Sequence, residues 1–244
     1  MPTKPLLKAL SDAAVGPRRW LADAIRQGRV EVNGVVAENF RHPLNIDTDR
    51  VTIDGRAVDL KPAKAAYLML NKPRGVLSTT RDERGRRTVI DLLPDEYRRL
   101  MLHPVGRLDK DSTGLLLLTN DGELTHRLTH PSFEHEKEYL VATDTRLKPG
   151  DKRSLEQGIR LEDGVTHGAV VREVQDKPFN YSITIQEGRK RQVRRMFESL
   201  GYRVLALKRV RIGSLQLGEL KDGNVRKLSA REVQALLEET KPVN

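Results

Sequence analysis

The sequence predicts an α+β protein in two parts: a small αα–β module over residues 1–60 and a larger mixed α+β domain over 66–244. Three observations lead there. Helical apolar spacing gives way to strand alternation within the first sixty residues. Six strand-like segments then recur among only a few helical ones, as a central antiparallel or mixed sheet requires. Between the two parts, the run Asp59-Leu60-Lys61-Pro62-Ala63-Lys64 is polar and interrupted by proline, which marks 61–65 as a linker.

The first helix follows from Leu7, Leu10 and Ala14, which share one face, and Gly16-Pro17 breaks it. Pro17 suits the start of a second helix, because an N–H at that position has no partner to lose. Leu21, Ala24 and Ile25 form the apolar stripe of that helix, while Arg18, Arg19 and Arg26 project elsewhere, and Gly28 closes it. Val30 and Val32 alternate with polar residues ahead of Asn33-Gly34, a strong type I′ hairpin signal leading to Val35-Val36. A further strand, Val51 to Ile53, turns at Asp54-Gly55.

In the larger part, strands are expected at 66–71, 114–119, 137–143, 169–175, 181–187 and 203–212. Helices are expected at 122–129, 151–157 and 190–199. Ser229 and Glu232 have capping-box spacing ahead of Val233, Leu236 and Leu237.

Composition narrows the function. Cysteine is absent, which removes disulfides, thiolate nucleophiles and cysteine metal sites together. No uninterrupted apolar run approaches the length of a membrane span, and no secretory h-region opens the chain. A cytoplasmic protein without a membrane partner is expected. Net charge is +10, and its distribution is uneven. Residues 1–60 carry nine Lys/Arg against eight Asp/Glu, whereas 186–211 carry nine against two. A local positive field of that kind favours a polyanion. His126 and His130 share a helix face, but a metal site needs further ligands, so no metal is expected.

The most specific segment is Gly106-Arg107-Leu108-Asp109-Lys110-Asp111-Ser112-Thr113-Gly114, an acidic loop flanked by bases that runs straight into an apolar strand. A carboxylate there is either held for chemistry or caps a turn and pairs with Arg107 or Lys110. Spacing alone leaves both open.

This segment resembles the catalytic motif of the RsuA/RluB group of ribosomal RNA pseudouridine synthases. Four further matches follow in family order: Leu70-Asn71-Lys72-Pro73-Arg74-Gly75-Val76, Thr88-Val89-Ile90-Asp91-Leu92-Leu93-Pro94, Lys137-Glu138-Tyr139, and Glu187-Gly188-Arg189-Lys190-Arg191-Gln192-Val193-Arg194-Arg195-Met196. The first sixty residues resemble the RNA-binding domain named after ribosomal small-subunit protein four, on the Arg pair and on Gly28-Arg29-Val30-Glu31-Val32-Asn33-Gly34.

The resemblance implies a cofactor-independent isomerase that turns a uridine of ribosomal RNA into pseudouridine after flipping it from its stack. It implies Asp109 as the catalytic carboxylate, Tyr139 stacked on the flipped uracil, and Arg194 paired with Asp109. Arg107 would fill the vacated stack. Arg18, Arg19, Arg26, Lys72, Arg189, Lys190, Arg191 and Arg195 would contact RNA. Val193, with Leu68 or Met69, would line the base pocket. The branch most resembled acts on large-subunit ribosomal RNA, and a monomer is expected. Small-subunit ribosomal RNA, or a non-catalytic role in ribosome assembly, are the alternatives.

Overall fold

The structure is a computed structural model that describes residues 3–133 and 135–239. It divides into two compact units. One gathers the chain through Ala66 with Pro94–Leu102 and Asn120–Gly122; the other gathers Tyr67–Leu93, His103–Thr119 and the chain from Glu123 onward. No helix among the described residues is long and apolar enough to cross a membrane.

In the small unit, β1 (Lys4–Pro5) leads into α1 (Leu6–Asp12) and α2 (Arg18–Arg26). The short strands β2 (Val30–Val32), β3 (Val35–Val36), β4 (Pro43–Leu44), β5 (Val51–Ile53) and β6 (Arg56–Ala57) follow. Four of them form an antiparallel sheet in the order β3-β2-β5-β6, and β1 pairs with β4. Asn33 (φ 52°) and Gly34 (φ 81°) are both left-handed, as a two-residue hairpin matching the strand twist requires. Leu6, Leu10, Leu21, Ile25, Val30 and Val51 form its core, all essentially without exposure.

The larger sheet begins at β7 (Tyr67–Lys72). Next come α3 (Asp95–Arg98), which belongs to the small unit, then β8 (His103–Pro104), β9 (Thr113–Thr119), α4 (Gly122–Thr129) and β10 (Lys137–Thr143). The chain continues through α5 (Pro149–Gln157), β11 (Arg160–Leu161), β12 (Gly164–Val165), β13 (Val170–Asp176) and β14 (Phe179–Ile185). It closes with α6 (Gln192–Glu198), β15 (Val204–Ile212), β16 (Leu215–Gln216), β17 (Val225–Lys227) and α7 (Ala230–Glu239). Strand order is β13-β14-β10-β15-β9-β7-β17, antiparallel except for β9 against β15, so the sheet is mixed.

β9 reads Thr-Gly-Leu-Leu-Leu-Leu-Thr because it lies centrally and is buried on both faces, where alternation is lost. Gly114 pairs with Arg209 of β15, and a Cβ at Gly114 would overlap the Arg209 backbone. The capping box of α7 is present: Ser229 Oγ accepts the N–H of Glu232 at 3.2 Å, and Glu232 accepts the N–H of Ser229 at 2.8 Å.

Candidate active site

The loop between β8 and β9 carries Arg107 to Ser112, and its backbone is held at successive points. Ser78 Oγ accepts the N–H of Leu108 at 3.1 Å and donates to the Leu108 carbonyl at 2.9 Å. The N–H of Gly75 donates to the Lys110 carbonyl at 2.7 Å. Lys72 Nζ donates to the carbonyl of Ser112 at 2.8 Å and to that of Pro73 at 3.0 Å. Leu108 is itself buried. The loop is therefore rigid although it belongs to no helix or strand, which is how a reacting group is held in place on a connection.

Two carboxylates emerge from it with different surroundings. Asp111 is ion-paired with Arg194 at 3.2 Å and with Arg191 at 3.3 Å. Asp109 makes no side-chain hydrogen bond among the described residues, and its nearest cation is Arg191 at 4.0 Å. About a third of the Asp109 side chain is exposed. One carboxylate is structural and neutralised; the other is left available.

Asp109 borders a cavity of about 870 Å³, within the range of small-molecule and cofactor sites. Arg107, Lys137, Tyr139, Arg191, Val193 and Arg209 share its wall. Tyr139 comes from the centre of β10, where it is nearly buried and pairs with Ile183 and Arg209. The sheet thus supplies an aromatic face, and the loop supplies a carboxylate, to one cavity.

That combination can be set beside known proteins. The family model described as RNA pseudouridylate synthase matches residues 66–199, which include the loop, Tyr139 and α6. The chain belongs to the RNA pseudouridylate synthase family. It is an enzyme that isomerises uridine. This synthase is 41% identical over 236 residues to the ribosomal large subunit pseudouridine synthase B of Bacillus subtilis, covering 95% of this chain and 94% of that protein. It is 42% identical over 236 residues to an RNA pseudouridine synthase of Mycobacterium bovis, covering 95% of this chain and 92% of that protein. A crystal structure of a pseudouridylate synthase superposes with a TM-score of 0.69 at 33% identity, covering 96% of this chain and 99% of that one.

Some residues of the synthase stand elsewhere than the sequence suggested. Arg194 does not reach Asp109; it pairs with Asp111 and donates to the carbonyls of Asp111 and Val204 at 3.2 and 2.9 Å. Arg194 is almost fully buried on α6, and its side chain comes within ion-pair distance of Asp111, the two carboxylates being about equally exposed. Burial lowers its pKa, chiefly against the attraction of Asp111. Lys72 has no exposed surface and cannot touch RNA. Its ammonium is an internal clamp, with a pKa pulled down to about 8 by burial against the attraction of Asp111, Asp109 and Asp222. Leu68 and Met69 are fully buried and do not border the cavity, whereas Val193 does.

The basic segment is similarly divided. Arg189 is held by Glu187 at 2.9 Å and donates to the carbonyls of Asp163, Gly164 and Val165, while Arg195 pairs with Asp163 at 2.9 Å. Both brace the β11–β12 turn instead of standing free for phosphate. Lys190 and Arg107 are exposed and form no ion pair among the described residues. The same holds for Arg18 and Arg19 on α2, whereas Arg26 pairs with Asp23 at 2.8 Å and lies over the Phe40 ring. The sequence reading gave no role to Ser78 or Arg209. Ser78 carries no local signal, but a basic residue inside the apolar pattern of β15 was a visible one.

Proposed function

We propose that the synthase converts a uridine of large-subunit ribosomal RNA to pseudouridine, with Asp109 as the catalytic carboxylate. The observation that carries this reading is an Asp109 carboxylate free of hydrogen bonds, on a clamped loop, beside the same cavity as Tyr139. Pseudouridine formation breaks N1–C1′, turns the uracil and joins C5 to C1′. A fixed carboxylate serves that sequence as nucleophile or base. The target nucleotide leaves its stack to enter the cavity, Arg107 occupies the vacated space, and Tyr139 stacks on the uracil. Arg194 acts one step removed, by holding Asp111 and with it the loop.

The large-subunit assignment is supported by the Bacillus subtilis relative, whose name gives that target. Residues 1–60 serve as an RNA-binding domain, with Arg18 and Arg19 on phosphates, and Lys190 adds a contact near the cavity. Such contacts position RNA without reading its sequence, so target choice depends on the shape of a loop or bulge. The reaction belongs to the cytoplasm, where the enzyme acts as a monomer. The test is to incubate the protein separately with protein-free transcripts of both ribosomal RNAs and map pseudouridine by sequencing. One modified site in the large-subunit transcript is the expected result; modification of the small-subunit transcript alone overturns the assignment.

A further inference from the structure

Two basic side chains in the cavity wall have no role in the account so far. Lys137 lies two residues before Tyr139 on β10, so both point to the same face of the sheet. Arg209, on β15, is the cross-strand partner of Tyr139 and therefore shares that face too. All three border the cavity that Asp109 borders.

Their electrostatic situation is unusual. Arg209 is almost fully buried; its Nε donates to the Leu115 carbonyl at 2.8 Å, and its Nη2 has no hydrogen-bond partner among the described residues. Gly114 permits this close approach of β15 to β9, since any Cβ there would meet the Arg209 backbone. Lys137 Nζ donates to a single acceptor, the His135 carbonyl at 2.9 Å. Burial and the adjacent Arg209 pull its pKa down to about 8, and no described carboxylate opposes them. Beside them, the buried Nε2 of His135 also lacks a partner among the described residues.

The opposite face of the same strands shows what ordinary pairing looks like. There Arg211 is bound by Glu138 and Glu136, each at 3.0 Å. On the cavity wall, Glu187 is taken by Arg189 and Gln192, and Arg191 is the cation nearest Asp109. Buried cations are costly unless an anion accompanies them. Among the described residues, the part-buried Lys137 and the buried Arg209 have none.

The reaction itself generates one. When N1–C1′ breaks, the bonding electron pair leaves with the base, and the uracil carries a negative charge spread over N1, O2 and O4. The charge is discharged when C5 bonds to C1′, the C5 proton departs and N1 takes up a proton. We propose that Lys137 and Arg209 form an electrostatic cradle for the uracil anion released by glycosidic-bond cleavage. Preorganised donors of this kind act where charge develops, and they need no reorganisation when it does. The inference rests on the isomerase activity alone, and neither the role of Asp109 nor the choice of ribosomal RNA enters it.

The test compares uridine with 5-fluorouridine in otherwise identical ribosomal RNA transcripts of both subunits, using the full-length protein under single-turnover conditions. N-glycosidic cleavage is followed by nucleoside mass analysis. Lys137→Met is expected to lower the rate on uridine about 100-fold while RNA affinity stays at the parent value. Fluorine withdraws electrons and stabilises the anion on its own, so the loss on 5-fluorouridine should shrink to about 10-fold or less. Arg209→Gln, which keeps an N–H donor but removes the charge, should show the same contrast, and Lys137→Arg should recover most of the rate. An equal loss on both substrates overturns the cradle. So does weaker RNA binding, with a shallower salt dependence and an unchanged rate at saturation, which would make these residues phosphate contacts. Retained activity in Asp109→Asn would remove Asp109 from catalysis and leave this inference standing.

Discussion

Ser78 Oγ accepts the N–H of Leu108 at 3.1 Å and returns a hydrogen bond to the Leu108 carbonyl at 2.9 Å, although thirty residues separate them. One hydroxyl thereby satisfies both backbone groups of the residue immediately before Asp109. Ser78→Ala strands that N–H and that carbonyl in a buried place, at a cost of about 1–3 kcal/mol. Lower denaturation midpoints and a reduced turnover rate with unchanged RNA affinity are expected. Unchanged turnover in the Ala variant would show that the clamp is not needed to aim Asp109.

Asp109→Asn should abolish isomerisation and leave RNA affinity near the parent value. The amide is nearly isosteric but acts neither as nucleophile nor as base. The Asp109 side chain makes no hydrogen bond among the described residues, so its replacement disturbs little structure. Turnover above a trace in the purified variant would exclude the assigned role.

Tyr139 separates stacking from hydroxyl chemistry. Tyr139→Phe keeps the ring against the uracil and should bind RNA like the parent, with turnover reduced by the missing hydroxyl. Tyr139→Ala also opens a void in a nearly buried wall and should lower stability by about 3–5 kcal/mol. If turnover survives both changes, Tyr139 is core packing only.

Lys72 predicts a pH dependence of stability. Its pKa in the fold is about 8, lowered by burial, whereas an unfolded lysine titrates near 10.4. Between those values the unfolded chain holds more proton than the folded one, so this group makes stability rise with pH across the window. Below about 8 both states are protonated, and the fold bears the full cost of the buried charge. Lys72→Met removes the dependence. The melting difference, parent minus variant, should therefore grow in the parent's favour from about pH 8 to about pH 10. A flat difference would mean that Lys72 titrates in the fold as it does in the unfolded chain.

The sequence by itself determined the longer elements and the family. Asn33-Gly34 dictated a hairpin because left-handed backbone is cheap there, and the Leu115–Leu118 run dictated a central strand because both faces of β9 are covered. Ser229 with Glu232 dictated where α7 begins. These are consequences of neighbours along the chain, so local pattern carries them. The ordered motifs around Asp109 and Tyr139 likewise pointed to a pseudouridine synthase, which the family match bears out.

Only the tertiary structure decided which charges are free. Lys72 was expected to contact RNA, yet it is sealed against the Ser112 carbonyl forty positions away. Arg194 pairs with Asp111 and not with Asp109, across more than eighty residues, because the fold brings that carboxylate within 3.2 Å of its guanidinium. Arg189 and Arg195 were drawn to a turn whose carboxylate, Asp163, lies far upstream. Desolvation and ion pairing depend on what the fold brings within a few ångströms, and at these separations sequence spacing carries no record of it.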